Sequence, residues 1–547
     1  MKALVNHVVH ISSFYNSKTK SRLSAYIFLV LWTLPLLIGG LDQQSIKPHD
    51  EGLYATRARL MWSTGDWVNP WSNPHHKPPG IYCLLGILYQ FWGINETTIR
   101  LPSIIFSLIS VILLYEIGSL IFNSCVGLLG AAILNLQFLW LQYSRLANPD
   151  LATIFLVLWA IFLLLKSESK LFKYHDFSLA LAGGCLGLAI LFRGLMMVIP
   201  FMALIPYLIL EHRRHQHLKQ SWLYLGFALG IIPLLLWLYL SWLRFGNKTL
   251  NRLLGIVITF GGYNRHDHNI LFYLTSLASS AFPWGLVAIV GLFFLWWNNV
   301  RSYWSLTVRF PSICLILISI YSTRLHHYAL IIYPFTALLS GFVLSACLPT
   351  QRRHNLVPQW FFSTLSYILG SIGLILLIAA TVVFCCVPSK LQYAQMAISI
   401  SVPWIGLPLI YHRRDSLYIW IAALLLGNWL GLLTAVNLGV IGNYEPEIKE
   451  FMQQPEVAQI VNAHPVYVLH GGGKTQTLFR FYLTNLEYLA DDAPLPACSY
   501  AVSDAEYLIT YKVPYRSVAN FRDWQLIQTT NCPLLDKSSV TRVLHSF

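Results

Sequence analysis

Charge is what this chain has least of. Only 11% of its 547 residues are Asp, Glu, Lys or Arg, where a soluble domain carries about 25%. With 56% hydrophobic residues, it has too little polar surface to face water all round. That excludes a water-soluble enzyme, a disordered chain and a coiled coil, and leaves a polytopic membrane protein. A disulfide framework is missing too. Most of the nine cysteines lie in apolar runs, where Cys behaves as a small hydrophobe. Cys498 and Cys532 stand apart in a polar tail and could pair in an oxidising compartment. There is no internal repeat and no low-complexity stretch. Gly471-Gly472-Gly473-Lys474-Thr475 lacks the spacing of a phosphate loop and reads as a turn. Acidic residues are scarcer than basic ones, 23 against 37, giving a net charge of +14. In a soluble protein that excess would point to nucleic acid. Here it fits cytoplasmic loops, which collect Lys and Arg, and no nucleic-acid partner is expected.

What is present is a series of apolar runs near the length of about 20 residues that spans a bilayer as helix. Thirteen candidates fall near 24–41, 98–121, 125–143, 151–165, 177–191, 195–210, 221–243, 271–297, 304–322, 328–346, 361–384, 393–411 and 417–438. Residues 1–23 carry Lys2, Lys18, Lys20 and Arg22 and no cleavage site follows, so the first run reads as an anchor and the N-terminus as cytoplasmic. Under this count the basic loops share that side: Lys166, Lys170 and Lys173; Arg213, Arg214 and Lys219; Arg352 and Arg353; Arg413 and Arg414. The other side then holds 42–97, the loop around Asp150, the turn at Arg193, segment 244–270, the turn at Arg324, and the tail 443–547. Residues 79–92 are apolar but short, and read as an interfacial helix. In the tail, VYVLH (466–470) and EYLITY (506–511) look like strands of a small α/β domain. The expected architecture is an all-α polytopic membrane protein: a cytoplasmic segment 1–23, a membrane region 24–442, and an extracytoplasmic C-terminal α/β domain 443–547.

The first outer loop, 42–97, carries the densest chemistry. Asp50-Glu51 precedes Tyr54, Arg57 and Arg59. A carboxylate at Asp50 can cap a helix start or serve a reaction. His75-His76-Lys77-Pro78-Pro79 follows; Lys77 can snorkel to headgroups or bind an anion. Asp150 stands in SRLANPD (144–150). Arg193, Arg265 and Arg324 reach the same side, with His266, His268, His326 and His327. Two acids, several cations and a His cluster at one face suit an anionic headgroup and a proton transfer. Tyr54, Trp67, Trp71 and Tyr263 can stack on a sugar or form an ordinary aromatic belt.

Segment 50–101, DEGLYATRARLMWSTGDWVNPWSNPHHKPPGIYCLLGILYQFWGINETTIRL, resembles the first outer loop of ArnT-like glycosyltransferases, relatives of the protein O-mannosyltransferases with the GT-C fold. The matches are Asp50, Glu51, Tyr54, Ala55 and Arg59, then Thr64 to Trp67, then Lys77-Pro78-Pro79, then Gly93, Glu96 and Arg100 to Pro102. Arg145-Leu146 with Asp150, Arg193-Gly194, His266 ahead of Pro283-Trp284, and Arg324 to Tyr328 follow in order. The resemblance covers about residues 24–350. Leu53 stands where the family has Arg, and His76 where it often has Glu.

The resemblance implies an enzyme that takes a monosaccharide from a polyprenyl-phosphate donor, with inversion, and places it on a lipid (lipid A-like), protein or glycan acceptor at the periplasmic face of a bacterial inner membrane. Asp50 is then the base or acceptor-orienting group, Glu51 the alternative base and Asp150 the supporting acid. Lys77, Arg59, Arg265, Arg324 and Arg193 are the cations for the donor phosphate. A divalent metal, zinc or magnesium, could sit on His76 and His266; both can equally be hydrogen-bonding residues. Membrane lipids are partners throughout. Two other readings are a lipid-linked sugar flippase and a related oligosaccharide ligase. A flippase would usually show repeated halves with broken helices, and a ligase a larger outer domain.

Overall fold

The computed structural model describes residues 21–48, 50–71, 74, 77–168, 173–262, 269, 271–297, 303–348, 357–413, 417–469, 474–487, 495–510 and 514–530; the side chains of Asp50 and Lys474 and those of 256–262, 509 and 510 are outside this description. The N-terminal half holds α1 (Ser21–Ile38), α2 (Asp50–Thr64), α3 (Gly80–Trp92), α4 (Glu96–Ile121), α5 (Ser124–Leu134), α6 (Phe138–Ser144), α7 (Pro149–Lys166), α8 (His175–Arg193) and α9 (Val198–Leu210). After the single turn α10 (His212–His215) come α11 (Ser221–Phe245), α12 (Lys248–Gly262), α13 (Phe272–Ser280), α14 (Trp284–Trp297), α15 (Phe310–Ile320), α16 (Tyr333–Ala346), α17 (Gln359–Cys386), α18 (Leu391–Ile405), α19 (Leu407–His412) and α20 (Leu417–Asn437). Among the described residues nine helical runs are long and apolar enough to cross a membrane. Two more arise if the bent pairs α5–α6 (69°) and α13–α14 (113°) each count as one.

One of the nine, 175–210, makes two passes. Arg193 at its middle meets Asp150 at the start of α7. Tyr207 near its end meets Glu168, just past the other end of α7. The chain therefore runs the length of α7 again between those residues, in line with the separate runs 177–191 and 195–210 read from the sequence. Gly194 makes the reversal at φ 60, a left-handed conformation that costs glycine little.

Local signals start these helices. Asn95, Asn123 and Asn148 cap α4, α5 and α7, each side chain accepting amides of the first turn, and Pro149 sits at N1 of α7, where its missing N–H is no loss. α7 and α16 form the buried centre, while α11 and α17 expose leucines, isoleucines and phenylalanines around the rim. A helix apolar all round belongs in a protein core or a membrane, and the rim position of these two fits the membrane. α8 and α11 lie parallel with backbones in contact. A Cβ on Gly226 would fall 1.8 Å from the Ala180 carbonyl oxygen, and one on Gly183 2.0 Å from that of Leu223. Small residues at four-residue spacing permit such an approach. The α5–α6 bend is held by polar side chains: Trp140 and Ser107 donate to Asn135 Oδ1, and Asn135 donates to Thr33 Oγ1. Irregular backbone at this depth survives only inside protein.

The tail builds a five-stranded sheet, β1 (Val466–Val468), β2 (Leu486–Glu487), β3 (Tyr500–Asp504), β4 (Tyr515–Phe521) and β5 (Trp524–Thr529), ordered β2-β1-β3-β5-β4. β2, β1 and β3 are parallel, and β3, β5 and β4 antiparallel. Helices α21 (Pro446–Gln453), α22 (Pro455–Ala463), α23 (Lys474–Tyr482) and α24 (Ala505–Thr510) flank it. VYVLH contains the expected strand. EYLITY does not: 505–510 is α24, and the strand is 500–504. The Asp504 carboxylate accepts the Glu506 amide and so opens a helical turn, which overrides β propensity. Gly471 to Gly473 and Cys532 lie outside the described residues. Cys498 is disulfide-bonded, and the seven other described cysteines form no disulfide.

Sheet and loop share one core, in which Tyr54, Ala58 and Ile81 pack with Phe451, Phe479 and Trp524. The short helix expected at 79–92 is α3, and it is part of this core.

Candidate functional site

The helix ends gather charge at one end of the bundle. Arg193 closes α8 and pairs with Asp150 at 2.8 Å, with only 15% and 10% of the two side chains exposed. The Asn148 cap and Pro149 fix the first turn of α7, so Asp150 stands at its positive end. Lys77, just ahead of α3, donates to the Tyr54 hydroxyl at 2.9 Å. Tyr54 lies on α2, one turn after Asp50. The Arg193 guanidinium lies 5.5 Å from the centre of the Tyr328 ring, and Tyr143 Oη is 3.3 Å from His327 Nδ1. Lys47 faces the rings of Tyr143 and Tyr444.

Two cavities meet at Arg193. One, of about 110 Å³, is bounded by Tyr54, Lys77, Pro149, Tyr321 and Tyr328. The other, of about 50 Å³, runs from Asp150 and His327 down a wall of Met196, Met197, Ile199 and Ile331. Arg193, Met196 and Tyr328 line both. The arrangement is a charged mouth over an apolar slot. It can hold an anion by its cations while an attached hydrocarbon enters the slot, because the anion keeps paired charges around it and the chain keeps apolar walls.

The structure thus brings Lys77, Asp150 and Arg193 together, with α2 starting nearby at Asp50. Two of the expected residues do other work. Glu51 is not a candidate base. It is fully buried, takes two hydrogen bonds from Arg100 at 2.9 and 3.1 Å, and accepts the amides of Lys47 and Ala147 at 2.8 and 3.1 Å. A carboxylate so satisfied has no lone pair aimed at a substrate. Nor is Arg59 a phosphate ligand. Its guanidinium donates to the carbonyls of Arg480, Leu483 and Thr484, tying α2 to the tail. Arg324 stands at the site end with its guanidinium on the Ser319 carbonyl. His76, Arg265 and His266 lie outside the described residues. So does the Asp50 side chain.

Glu51 and Asp150 are each engaged with an arginine, and no three metal-ligating side chains gather among the described residues; the expected ligands His76 and His266 lie outside them. Sequence reasoning missed Lys47 and the apolar wall of Met196 and Met197. Lys47 carried a usable signal, three residues ahead of Asp50; the methionines had none, being apolar residues in an apolar run.

Residues 76–242 match a model of the dolichyl-phosphate-mannose-protein mannosyltransferase family. An undecaprenyl phosphate-alpha-4-amino-4-deoxy-L-arabinose arabinosyl transferase of Pseudomonas fluorescens is 25% identical over 298 residues, half of this chain and 49% of that protein. The chain spans about half the length, or less, of the curated relatives it matches. Similarity in fold runs much further. The structure of ArnT from Cupriavidus metallidurans bound to undecaprenyl phosphate aligns with a TM-score of 0.71 at 16% identity, covering 95% of this chain and 99% of that one. An oligosaccharyltransferase of Archaeoglobus fulgidus aligns with a TM-score of 0.50 at 12% identity, covering 89% and 70%. In fold, this many-helix membrane protein is similar to ArnT.

Proposed function

We propose that the protein is an integral membrane glycosyltransferase that moves one monosaccharide from a polyprenyl-phosphate donor to a lipid A-like lipid, with protein and glycan acceptors as the other classes. The observation that carries this is the cluster of Lys77, Tyr54, Arg193 and Asp150 above an apolar slot. The fold it shares with an ArnT that binds undecaprenyl phosphate supports the same reading.

In this proposal the donor phosphate sits between Lys77 and Arg193, with the first isoprene units against Met196 and Met197. Asp150 holds the Arg193 guanidinium in place. The acceptor oxygen attacks the anomeric carbon as the bond from that carbon to the phosphate oxygen breaks, inverting the centre. Asp50, at the start of α2, takes the acceptor proton if the acceptor is a hydroxyl. Polyprenyl phosphate leaves with one more negative charge than it had as a diester, and fixed cations stabilise that charge as it develops. If the acceptor is itself a phosphate, Asp50 orients it instead. No step through zinc or magnesium belongs to this proposal.

Sidedness is also a proposal. Lys166, Lys173, Arg213, Arg214, Lys219 and Arg413 gather at the end away from the site, which the positive-inside rule places in the cytoplasm. The site and the tail then face the periplasm across a bacterial inner membrane. The test is transfer in proteoliposomes from radiolabelled undecaprenyl-phosphate sugars to lipid A, other lipid and peptide acceptors. Asp50→Asn and Lys77→Ala are expected to cut transfer at least tenfold while the protein stays folded. Full activity of Asp50→Asn removes the base; donor crossing the bilayer with no product supports a flippase.

A further inference from the structure

At the opposite end of the bundle lies a further cavity, of about 660 Å³, lined by none of the residues of the proposed transfer site. Its cations come from two separate elements: Arg213 and Arg214 from the connection after α9, and Arg309 from the turn that leads into α15. Trp296 and Trp304 complete the opening. Trp296 is 64% exposed and neighbouring Leu210 62% exposed, so this side opens toward the hydrocarbon rather than toward water alone.

The floor is rigid. Arg214 pairs with Glu168 at 3.0 Å and lies 3.7 Å above the Tyr303 ring. Tyr303 and Tyr207 both donate to Glu168. Glu211 also borders the cavity, but its carboxylate accepts the Ser305 amide and faces Arg214, so the negative charge is turned into the wall. Arg309 donates to the Ser305 hydroxyl and is exposed, and Arg213 is exposed with no ion pair or hydrogen bond from its side chain among the described residues. The mouth therefore shows two guanidinium groups outward, with indole rings beside them where a lipid's glycerol and upper acyl carbons would lie.

We propose that this cavity binds the phosphodiester headgroup of an anionic phospholipid, such as phosphatidylglycerol, from the leaflet at this end of the bundle. Basic pockets between membrane helices with indole rims recognise such headgroups. The inference is independent of the transferase reading, because it uses none of the residues of the polar cluster.

The double variant Arg213→Ala/Arg309→Ala is expected to lose about 30-fold in affinity. The full-length protein is placed in nanodiscs of phosphatidylcholine with a graded fraction of phosphatidylglycerol, and retained lipid is counted by native mass spectrometry after transfer to detergent. The wild type is expected to retain phosphatidylglycerol over phosphatidylcholine, the double variant to lose that preference, and both to show the same thermal midpoint. Excess inorganic phosphate is expected to leave retention unchanged. Equal retention by the two proteins overturns the proposal, and displacement by inorganic phosphate replaces the lipid with a soluble anion. A Trp296→Ala variant keeps the arginines and is expected to shorten lipid retention without abolishing selectivity; unchanged retention there removes the indole rim from the site. Transfer by the double variant is read separately, so failure of one proposal is not failure of the other.

Discussion

Glu51→Gln separates architecture from chemistry at adjacent carboxylates. Glu51 is enclosed by donors alone: two bonds from Arg100 and two backbone amides. Arg100 is itself fully buried. Replacing one oxygen of that carboxylate by an NH₂ group puts donor against donor and strips the guanidinium of its countercharge. Breaking a buried pair from one side costs about 3–5 kcal/mol, because the remaining charge stays in low dielectric. Partial rescue comes from the three carbonyls that Arg100 also holds, those of Leu41, Gln44 and Ser45, which places the expected loss at the lower end, about 3 kcal/mol. The assay is thermal unfolding of the purified protein in detergent at one scan rate, beside transfer measured well below the midpoint. Glu51→Gln is expected to lower the midpoint by several degrees and to keep substantial transfer in the molecules that remain folded. Asp50→Asn is expected to do the reverse. A Glu51→Gln protein with the wild-type midpoint and no transfer would refute the structural assignment and return Glu51 to the chemistry.

Three further outcomes follow. Tyr54→Phe removes the acceptor that positions Lys77; a hydrogen bond to a charged group is worth about 1.5 kcal/mol, so kcat/KM for the donor is expected to fall about tenfold with little change in thermal midpoint, and an unchanged value would show that Tyr54 does not position Lys77. Gly226→Leu drives a side chain into the Ala180 backbone, and is expected to replace the monodisperse chromatographic peak with aggregate, while Gly255→Leu, where nothing lies within 4 Å of the added atom, keeps it. Asp66 is half-buried; burial works against its charge, but Arg244 and the Val68 and Asn69 amides outweigh that and hold the carboxyl below its ordinary value. A depressed folded pKa stabilises above the unfolded pKa and is lost as pH falls through the folded one, so Asp66→Asn is expected to flatten the loss of stability below about pH 4, read from midpoints across a pH series.

The membrane region was legible because hydropathy is a local property. Each apolar run could be read without knowing its neighbours, and the positive loops then sorted the ends, which is why Asp150, Arg193 and Lys77 were expected on one face. Glu51 and Arg59 were misread for one reason. A charged residue in an outer loop looks the same whether it meets a substrate or a carbonyl, and the carbonyls that Arg59 meets lie more than 400 residues away. The strand expected at 506–511 failed by the opposite route: one aspartate, Asp504, caps a turn and decides against six residues of β propensity.

The arginines near the site illustrate why a membrane protein spends charge where it performs no chemistry. Between α1 and α2 the backbone leaves the helix at the rim of the bundle, and its carbonyls lose their intrahelical donors. Arg145 donates to the carbonyls of Leu36, Leu37 and Gly39 and to the side chain of Gln44. Arg100 takes the next three, Leu41, Gln44 and Ser45, and then Glu51. Two guanidinium groups, anchored on α4 and just before α7, thus satisfy a connection that neither water nor helix geometry could satisfy there. Lysine could not replace them, since a single ammonium lacks the planar fork that spans several carbonyls at once. The consequence reaches the reaction. Glu51 is the last residue of this scaffold, and Asp50 is its neighbour on the same first turn of α2. The backbone that carries the proposed base is therefore anchored through its neighbour by the Glu51–Arg100 pair.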